Sequence, residues 1–304
     1  MKRQLHLLVI DPQNDFCDLP GSYLPQAPAA TATSATSIAP LPISSGPAAT
    51  VPALPVPGAH ADMQRLAQLI ATAGNGLSGI SVTLDSHHVL DIAHPGFWQQ
   101  LDGSAVTPFT TITAAQVRAG TYAPRLPGAH ARVLAYLDAL EAANRYTLMV
   151  WPQHCVIGSW GQNVHADLQA ACQDWQINTL NNVNYVNKGE NPWTEHYSAI
   201  QAEVPSSSEP ETLLNQALLD SLAQQDRIYI AGEAGSHCVK ATTEHIIANI
   251  GAEHIGKLVL LTDCISPVSG FEAQYQEFIA ACRAKGVQIA ESRDILPELL
   301  GNIG

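Results

Sequence analysis

Cys238 lies within Ala234-Gly-Ser-His-Cys-Val-Lys240, between a run that reads as a buried strand, Arg227 to Gly232, and a segment with amphipathic helical spacing, Val239 to Ile250. That puts the thiol at a helix N-terminus. The partial positive charge of unpaired N–H groups there favours thiolate, the form that attacks a carbonyl carbon. By residue type alone a buried structural cysteine is the more common outcome, and it is the position between strand and helix that favours a nucleophile.

Other chemically capable residues also follow apolar runs. Asp11 opens Asp11-Pro-Gln-Asn-Asp-Phe16 after Leu5 to Ile10, where a carboxylate could shuttle a proton, although Asp after a strand is also a routine turn residue. Asp85-Ser-His87-His88 follows Ile80 to Leu84, with His94 shortly beyond and His154 after Tyr146 to Trp151. Side chains at alternate positions of an extended segment point the same way, so Asp85 and His87 can reach one ion, with His94 or His88 as a third ligand and His154 as another. One carboxylate with two or three imidazoles suits a divalent metal, zinc foremost, with iron or manganese next. Most of the twelve histidines in such a chain would be surface or core residues; shared placement after strands is what favours the metal. Lys188 follows the short run Asn184 to Asn187. A lysine there is commonly solvated, but facing Cys238 it would stabilise a thiolate and hold Asp11 ionised.

The elements that must position these residues alternate. Leu5–Ile10, Ile80–Leu84, Tyr146–Trp151, Asn184–Asn187, Arg227–Ala231, Lys257–Thr262 and Val287–Ala290 read as strands. Asp62–Ala73, Ala129–Ala143, Asn163–Trp175, Glu211–Gln224, His237–Ile250 and Phe271–Ala284 read as helices. Alternation of this kind predicts a three-layer α/β/α fold with a mostly parallel sheet, whose ligands gather at the carboxyl ends of the strands. Two segments interrupt it. Gln26 to Pro57 is almost wholly Ala, Pro, Ser and Thr and is expected to be a surface loop, while Gly96 to Asn144 could serve as a lid, a subunit contact or padding.

Composition narrows the partners. A formal charge of −13 without a basic cluster argues against nucleic acid and anionic lipid. No stretch reaches the roughly twenty apolar residues of a membrane span, and Asp11 ends the first apolar run before signal-peptide length, so a cytoplasmic protein is expected. The six cysteines, Cys17, Cys155, Cys172, Cys238, Cys264 and Cys282, lack the spacing of a disulfide scaffold or zinc ribbon, and Cys155 is expected to be a packed neighbour of His154.

Taken in order, these motifs resemble the nicotinamidase/pyrazinamidase branch of the isochorismatase-like cysteine hydrolases. The resemblance implies one such domain over residues 1–304, built on a six-stranded sheet of Rossmann-like topology, with insertions at about 24–57 and 96–144. It implies Asp11, Lys188 and Cys238 as catalytic triad, Asp85, His87, His94 and His154 as metal ligands, and the N–H groups of Ala234 and Cys238 as oxyanion hole after a cis peptide bond. Phe16 and Trp151 would wall the pocket around a pyridine ring, joined by Tyr197 and His237. The implied reaction is hydrolysis of nicotinamide to nicotinate and ammonia through a cysteine thioester. The implied partners are a small carboxamide and further copies of the chain.

Three features depart from the pattern: the two long insertions, the stretched spacing from Asp85 to His94, and Glu233 where an apolar residue is expected before Ala234. The competing readings are a same-fold hydrolase of another carboxamide or carbamoyl compound, and a non-catalytic metal or thiol sensor. A vinyl-ether hydrolase of the isochorismate type needs neither this cysteine nor this histidine set.

Overall fold

The computed structural model describes residues 2–26 and 50–303. Its strands are β1 (Leu5–Ile10), β2 (Gly79–Asp85), β3 (Trp98–Gln100), β4 (Thr110–Ile112), β5 (Tyr122–Pro124), β6 (Leu148–Val150), β7 (Asn184–Lys188), β8 (Arg227–Gly232), β9 (Leu258–Leu261) and β10 (Gln288–Ala290). The helices that matter below are α1 (Ala59–Ala73), α2 (Ala114–Arg118), α3 (His130–Ala143), α4 (Ala166–Thr179), α5 (Gln216–Ala223), α6 (Cys238–Asn249) and α7 (Glu272–Ala284).

Six strands form one sheet in the order β10-β9-β8-β1-β2-β7, every pairing parallel, with helices on both sides. The central strand β1 is buried along its whole length, as a strand covered on both faces must be, which explains its nearly unbroken apolar sequence. No helix among the described residues is long and apolar enough to cross a membrane.

Register delivers the chemistry. Ile10 pairs with Gly232, so Asp11 emerges beside the turn after β8, and Asp85 pairs with Lys188, so the last residues of β2 and β7 lie side by side. Gly232 has φ of +114°, and a Cβ there would stand 2.0 Å from the Ile10 carbonyl oxygen, so only glycine allows β8 to turn this close to β1.

Several expected elements differ. Leu148–Val150 lies outside the main sheet and pairs antiparallel with β4, because it belongs to a second apolar cluster built from Phe97, Trp98, Ile112, Val133, Leu137 and Leu140. That cluster occupies the 96–144 insertion, where Thr113 caps α2 with a reciprocal capping box to Gln116. Helix α4 begins later than expected, since the carbonyl of Asn163 and the N–H of His165 bond to Asn14 and Pro12. The segment read as a helix from Glu211 splits into a short 3-10 turn at Pro210–Thr212 and then α5, capped by Asn215. Residues 27–49 of the expected surface loop lie outside the described residues. The rest of that segment departs from the expectation: Leu54 and Val56 are buried, their N–H groups donating to the carbonyls of Asp15 and Phe16.

Candidate active site

The carboxyl ends of β1, β2, β7 and β8 converge on one buried cluster. Asp11 follows β1 with φ of +45°, its N–H donating to Thr83 Oγ1 at 3.0 Å while that hydroxyl donates back to Asp11 Oδ1 at 2.5 Å. Lys188 closes β7 and points its ammonium inward. Its Nζ stands 2.9 Å from Asp11 Oδ2, 2.9 Å from Asp85 Oδ1, 3.0 Å from the His196 carbonyl and 3.7 Å from Cys238 Sγ. Cys238 is the first residue of α6, and one ligand atom each of Asp11, Asp85 and Cys238 lies within 4.8 Å of the others.

Burial would neutralise Lys188, but Asp11 and Asp85 outweigh it and hold the ammonium charged. Burial raises the Asp11 carboxyl, and Lys188 and Thr83 only partly offset that. For Cys238 burial again acts first, joined by Asp11 and Asp85, so the thiol is pushed well above its ordinary range despite Lys188. Helix-end position alone favours a thiolate; burial, the larger effect here, works against it, with Asp11 and Asp85 adding to burial and Lys188 opposing it.

The peptide bond between Glu233 and Ala234 is cis. Among the described residues neither the Ala234 N–H nor the Cys238 N–H has a hydrogen-bond acceptor. Two free donors beside a thiol suit an oxyanion.

His87, His94 and His154 form a second buried cluster, with one ring nitrogen of each within 4.8 Å of the others. His87 Nε2 stands 3.1 Å and His154 Nε2 3.5 Å from Asp85 Oδ2. The remaining nitrogens are engaged elsewhere: His87 Nδ1 by Asp91 Oδ2 at 3.0 Å, His94 Nδ1 by the His88 carbonyl at 3.2 Å, His154 Nδ1 by the Pro152 carbonyl at 2.7 Å. Outer partners of this kind fix the tautomer that leaves Nε2 for a metal. Burial acts against protonating His87, yet Asp85 and Asp91 outweigh it and push the ring well above its ordinary value. His94 is driven down to about 2 by burial and its neighbouring histidines. Crowded imidazoles that can share only protons compete in this way, and the donor set fits a divalent ion. His88 is exposed and contributes only its backbone carbonyl. His154 reaches the cluster on an extended run beside residues 87–93, anchored by Trp151 N–H to the Ala93 carbonyl and His87 N–H to the Cys155 carbonyl.

A narrow pocket opens between the clusters, lined by the expected Phe16, Trp151, Tyr197, His237, Ala234 and Cys238. Phe16 meets His154 edge to face at 5.3 Å, and Trp151 meets His237 likewise at 5.0 Å while donating to the Tyr197 hydroxyl at 3.1 Å. Leu54, Glu195 and Val268 also face this pocket and were not anticipated. Burial raises the Glu195 carboxyl to about 8. Leu54 gave no sequence signal because it sits in a run of Ala, Pro, Ser and Thr. Asp91, four residues beyond His87, could have been found by asking what holds the second ring nitrogen.

No family model matches the chain, and no curated protein matches it in sequence. Solved structures do. A nicotinamidase/pyrazinamidase of Acinetobacter baumanii superposes with a TM-score of 0.59 at 18% identity, over 96% of this chain and 98% of that one. The yeast nicotinamidase bound to the inhibitor nicotinaldehyde gives 0.58 at 20% identity, covering 95% of this chain and 100% of that one. A pyrazinamidase of Pyrococcus horikoshii in complex with zinc gives 0.51 at 17% identity, over 95% and 99%. The chain therefore has, along nearly its whole length, the α/β fold of the nicotinamidase and pyrazinamidase structures.

Proposed function

We propose that this protein is a cysteine amidohydrolase that converts nicotinamide, or a close pyridine or pyrazine carboxamide, to the acid and ammonia. The observation that carries the reading is Lys188 Nζ held 2.9 Å from Asp11 and 3.7 Å from Cys238 Sγ, with Cys238 lining an aromatic pocket. Asp11 accepts the thiol proton as sulfur attacks the carboxamide carbon, and the N–H groups of Ala234 and Cys238 hold the resulting oxyanion. As the C–N bond breaks, Asp11 returns the proton to the departing ammonia, leaving a Cys238 thioester. Water, giving a proton to Asp11, then attacks the thioester; the acid leaves and the proton returns to sulfur. Lys188 keeps carboxylate and thiol facing one another throughout.

Asp85, His87, His94 and His154 would hold one divalent metal ion, zinc foremost. Bound there, the ion supplies a Lewis-acidic attachment point for a ring nitrogen of the substrate. Phe16 and Trp151 would flank the ring, where dispersion and quadrupole contacts favour an aromatic heterocycle. Support comes from the pocket's lining and from the fold shared with the yeast nicotinamidase bound to nicotinaldehyde and the Pyrococcus horikoshii pyrazinamidase in complex with zinc.

The test is ammonia release from nicotinamide and pyrazinamide by metal-replete protein, with Cys238→Ala alongside. Turnover by the parent that the variant lacks, with metal content equal in both, is expected. Silence of the parent on both amides would reject the substrate, and turnover by the variant would reject the covalent route.

A further inference from the structure

Glu233 is fully buried at the position where an apolar residue was expected, immediately before Ala234. A buried carboxyl is costly unless its partners are placed for it. Here they are. Glu233 Oε2 accepts from the Ser266 N–H at 3.2 Å, and the Ser266 carbonyl accepts from the Gly235 N–H at 2.8 Å. The Ser266 hydroxyl donates to Asp62 Oδ2 at 2.6 Å, and Asp62, itself 2% exposed on α1, pairs through its other oxygen with Arg65.

We propose that Glu233 is a positioning residue, tying the turn that presents the Ala234 N–H to the loop after β9 at Ser266 and, through the Ser266 hydroxyl and Asp62, to α1. This rests on the amidohydrolase reading for its catalytic consequence, though not for its geometry. Glu233 Oε1 has no donor among the described residues, and Ser266 is the residue that bonds both acids. Burial raises the Glu233 carboxyl well above its ordinary range, with Asp62 adding to it, and burial raises Asp62 too, with Ser266 and Arg65 only partly offsetting that. The loop clasps the turn a second time, with the Val268 N–H donating to Ser236 Oγ at 3.1 Å. The Glu233–Ser266–Asp62 chain carries the clasp on to α1, which Arg65 also joins to the same loop at the Asp263 carbonyl. An oxyanion donor acts through its position, so a turn free to shift would lose stabilisation of the tetrahedral intermediate while leaving ring binding in place.

Glu233→Gln and Glu233→Leu separate this role from simple packing. Glutamine keeps an acceptor for Ser266; leucine keeps volume alone. With nicotinamide, Glu233→Leu is expected to lose kcat by about 10²-fold with KM within about threefold, the scale of one displaced oxyanion donor. Inhibition by nicotinaldehyde, whose adduct with a thiol carries the same oxygen, should weaken in parallel, and Glu233→Gln should restore both. Amide hydrogen exchange over residues 232–238 reads the turn without turnover, and it should quicken in the leucine variant and not in the glutamine variant. Parent-like kcat and exchange in Glu233→Leu would overturn the proposal. If the parent hydrolyses no amide, the functional reading fails and exchange alone decides the link. If Glu233→Leu does not fold, Asp62→Ala takes its place, with faster exchange over 232–238 expected and unchanged exchange overturning the proposal.

Discussion

Lys188 Nζ stands 2.9 Å from Asp85 Oδ1, so the cation that faces the nucleophile also faces the carboxylate turned toward the histidine cluster. The pairing follows from sheet register, since Asp85 and Lys188 are partners at the ends of β2 and β7. Gly189 keeps the approach open: its φ is +82°, and a Cβ there would stand 2.8 Å from the same Asp85 oxygen. Burial alone would protonate Asp85, but His87 and Lys188 hold its carboxyl well below the usual range, ready to bind a cation. The two clusters are thus electrostatically one site.

Removing the Lys188 charge should therefore damage both halves. Lys188→Met leaves Asp11 and Asp85 buried without their shared cation, a loss expected to cost about 3–5 kcal/mol of stability. Turnover should fall at least about 10²-fold, since the thiol and its base lose the group that aligns them. Lys188→Arg should not rescue, because a planar guanidinium cannot replace a point charge enclosed by three acceptors. Denaturant unfolding and ammonia release check this; a stable, active methionine variant would sink it.

The protonated resting thiol has a kinetic signature. Cys238 is pushed up by burial, Asp11 and Asp85, so its thiolate fraction near pH 7 is small and grows as pH climbs past the ordinary thiol value of about 8.5. Alkylation by a small haloacetamide, read at Cys238 by mass spectrometry, should be slow at neutral pH and still rising above that value. A rate plateau below pH 8 would indicate an ion pair at rest.

The sequence made the strand-end residues legible because a parallel sheet places strand ends by register, and Asp11, Asp85, Lys188 and Cys238 all adjoin its strands. His154 was legible as a candidate for the wrong reason, as its preceding strand lies outside the main sheet. What stayed hidden depends on contacts distant in sequence. Asp15 accepts from the N–H groups of Cys155 and Ala53, and so draws the 151–155 run and the returning end of the first insertion to the pocket. No periodicity encodes such a junction. Helix-end position is readable along the chain, whereas the burial that raises the Cys238 thiol, and the carboxylates that add to it, come from other strands.

Asp91 should govern the metal without touching it. Its carboxylate fixes His87 Nδ1 at 3.0 Å, and its other oxygen accepts from the Ala93 N–H at 2.9 Å, so it orders both ring and loop. Asp91→Asn is expected to weaken metal affinity about 10–100-fold, with activity recovering at excess metal. Metal content after dialysis against graded chelator measures this, and unaltered retention would show that His87 needs no outer partner.

Leu54 should set the size of substrate accepted. It is 7% exposed, lines the pocket with Phe16 and Trp151, and is held there by its N–H bond to the Asp15 carbonyl at 2.9 Å. Its backbone bond survives truncation, so Leu54→Ala removes wall without releasing the segment. The change should raise KM for nicotinamide roughly tenfold, the scale of lost apolar contact in a fitted pocket. Ring-substituted nicotinamides that are too large for the parent should gain relative to nicotinamide in kcat/KM. The ratio of kcat/KM between a methyl-substituted and an unsubstituted amide tests the point directly, because a loss of stability would lower both values together and leave the ratio where it began.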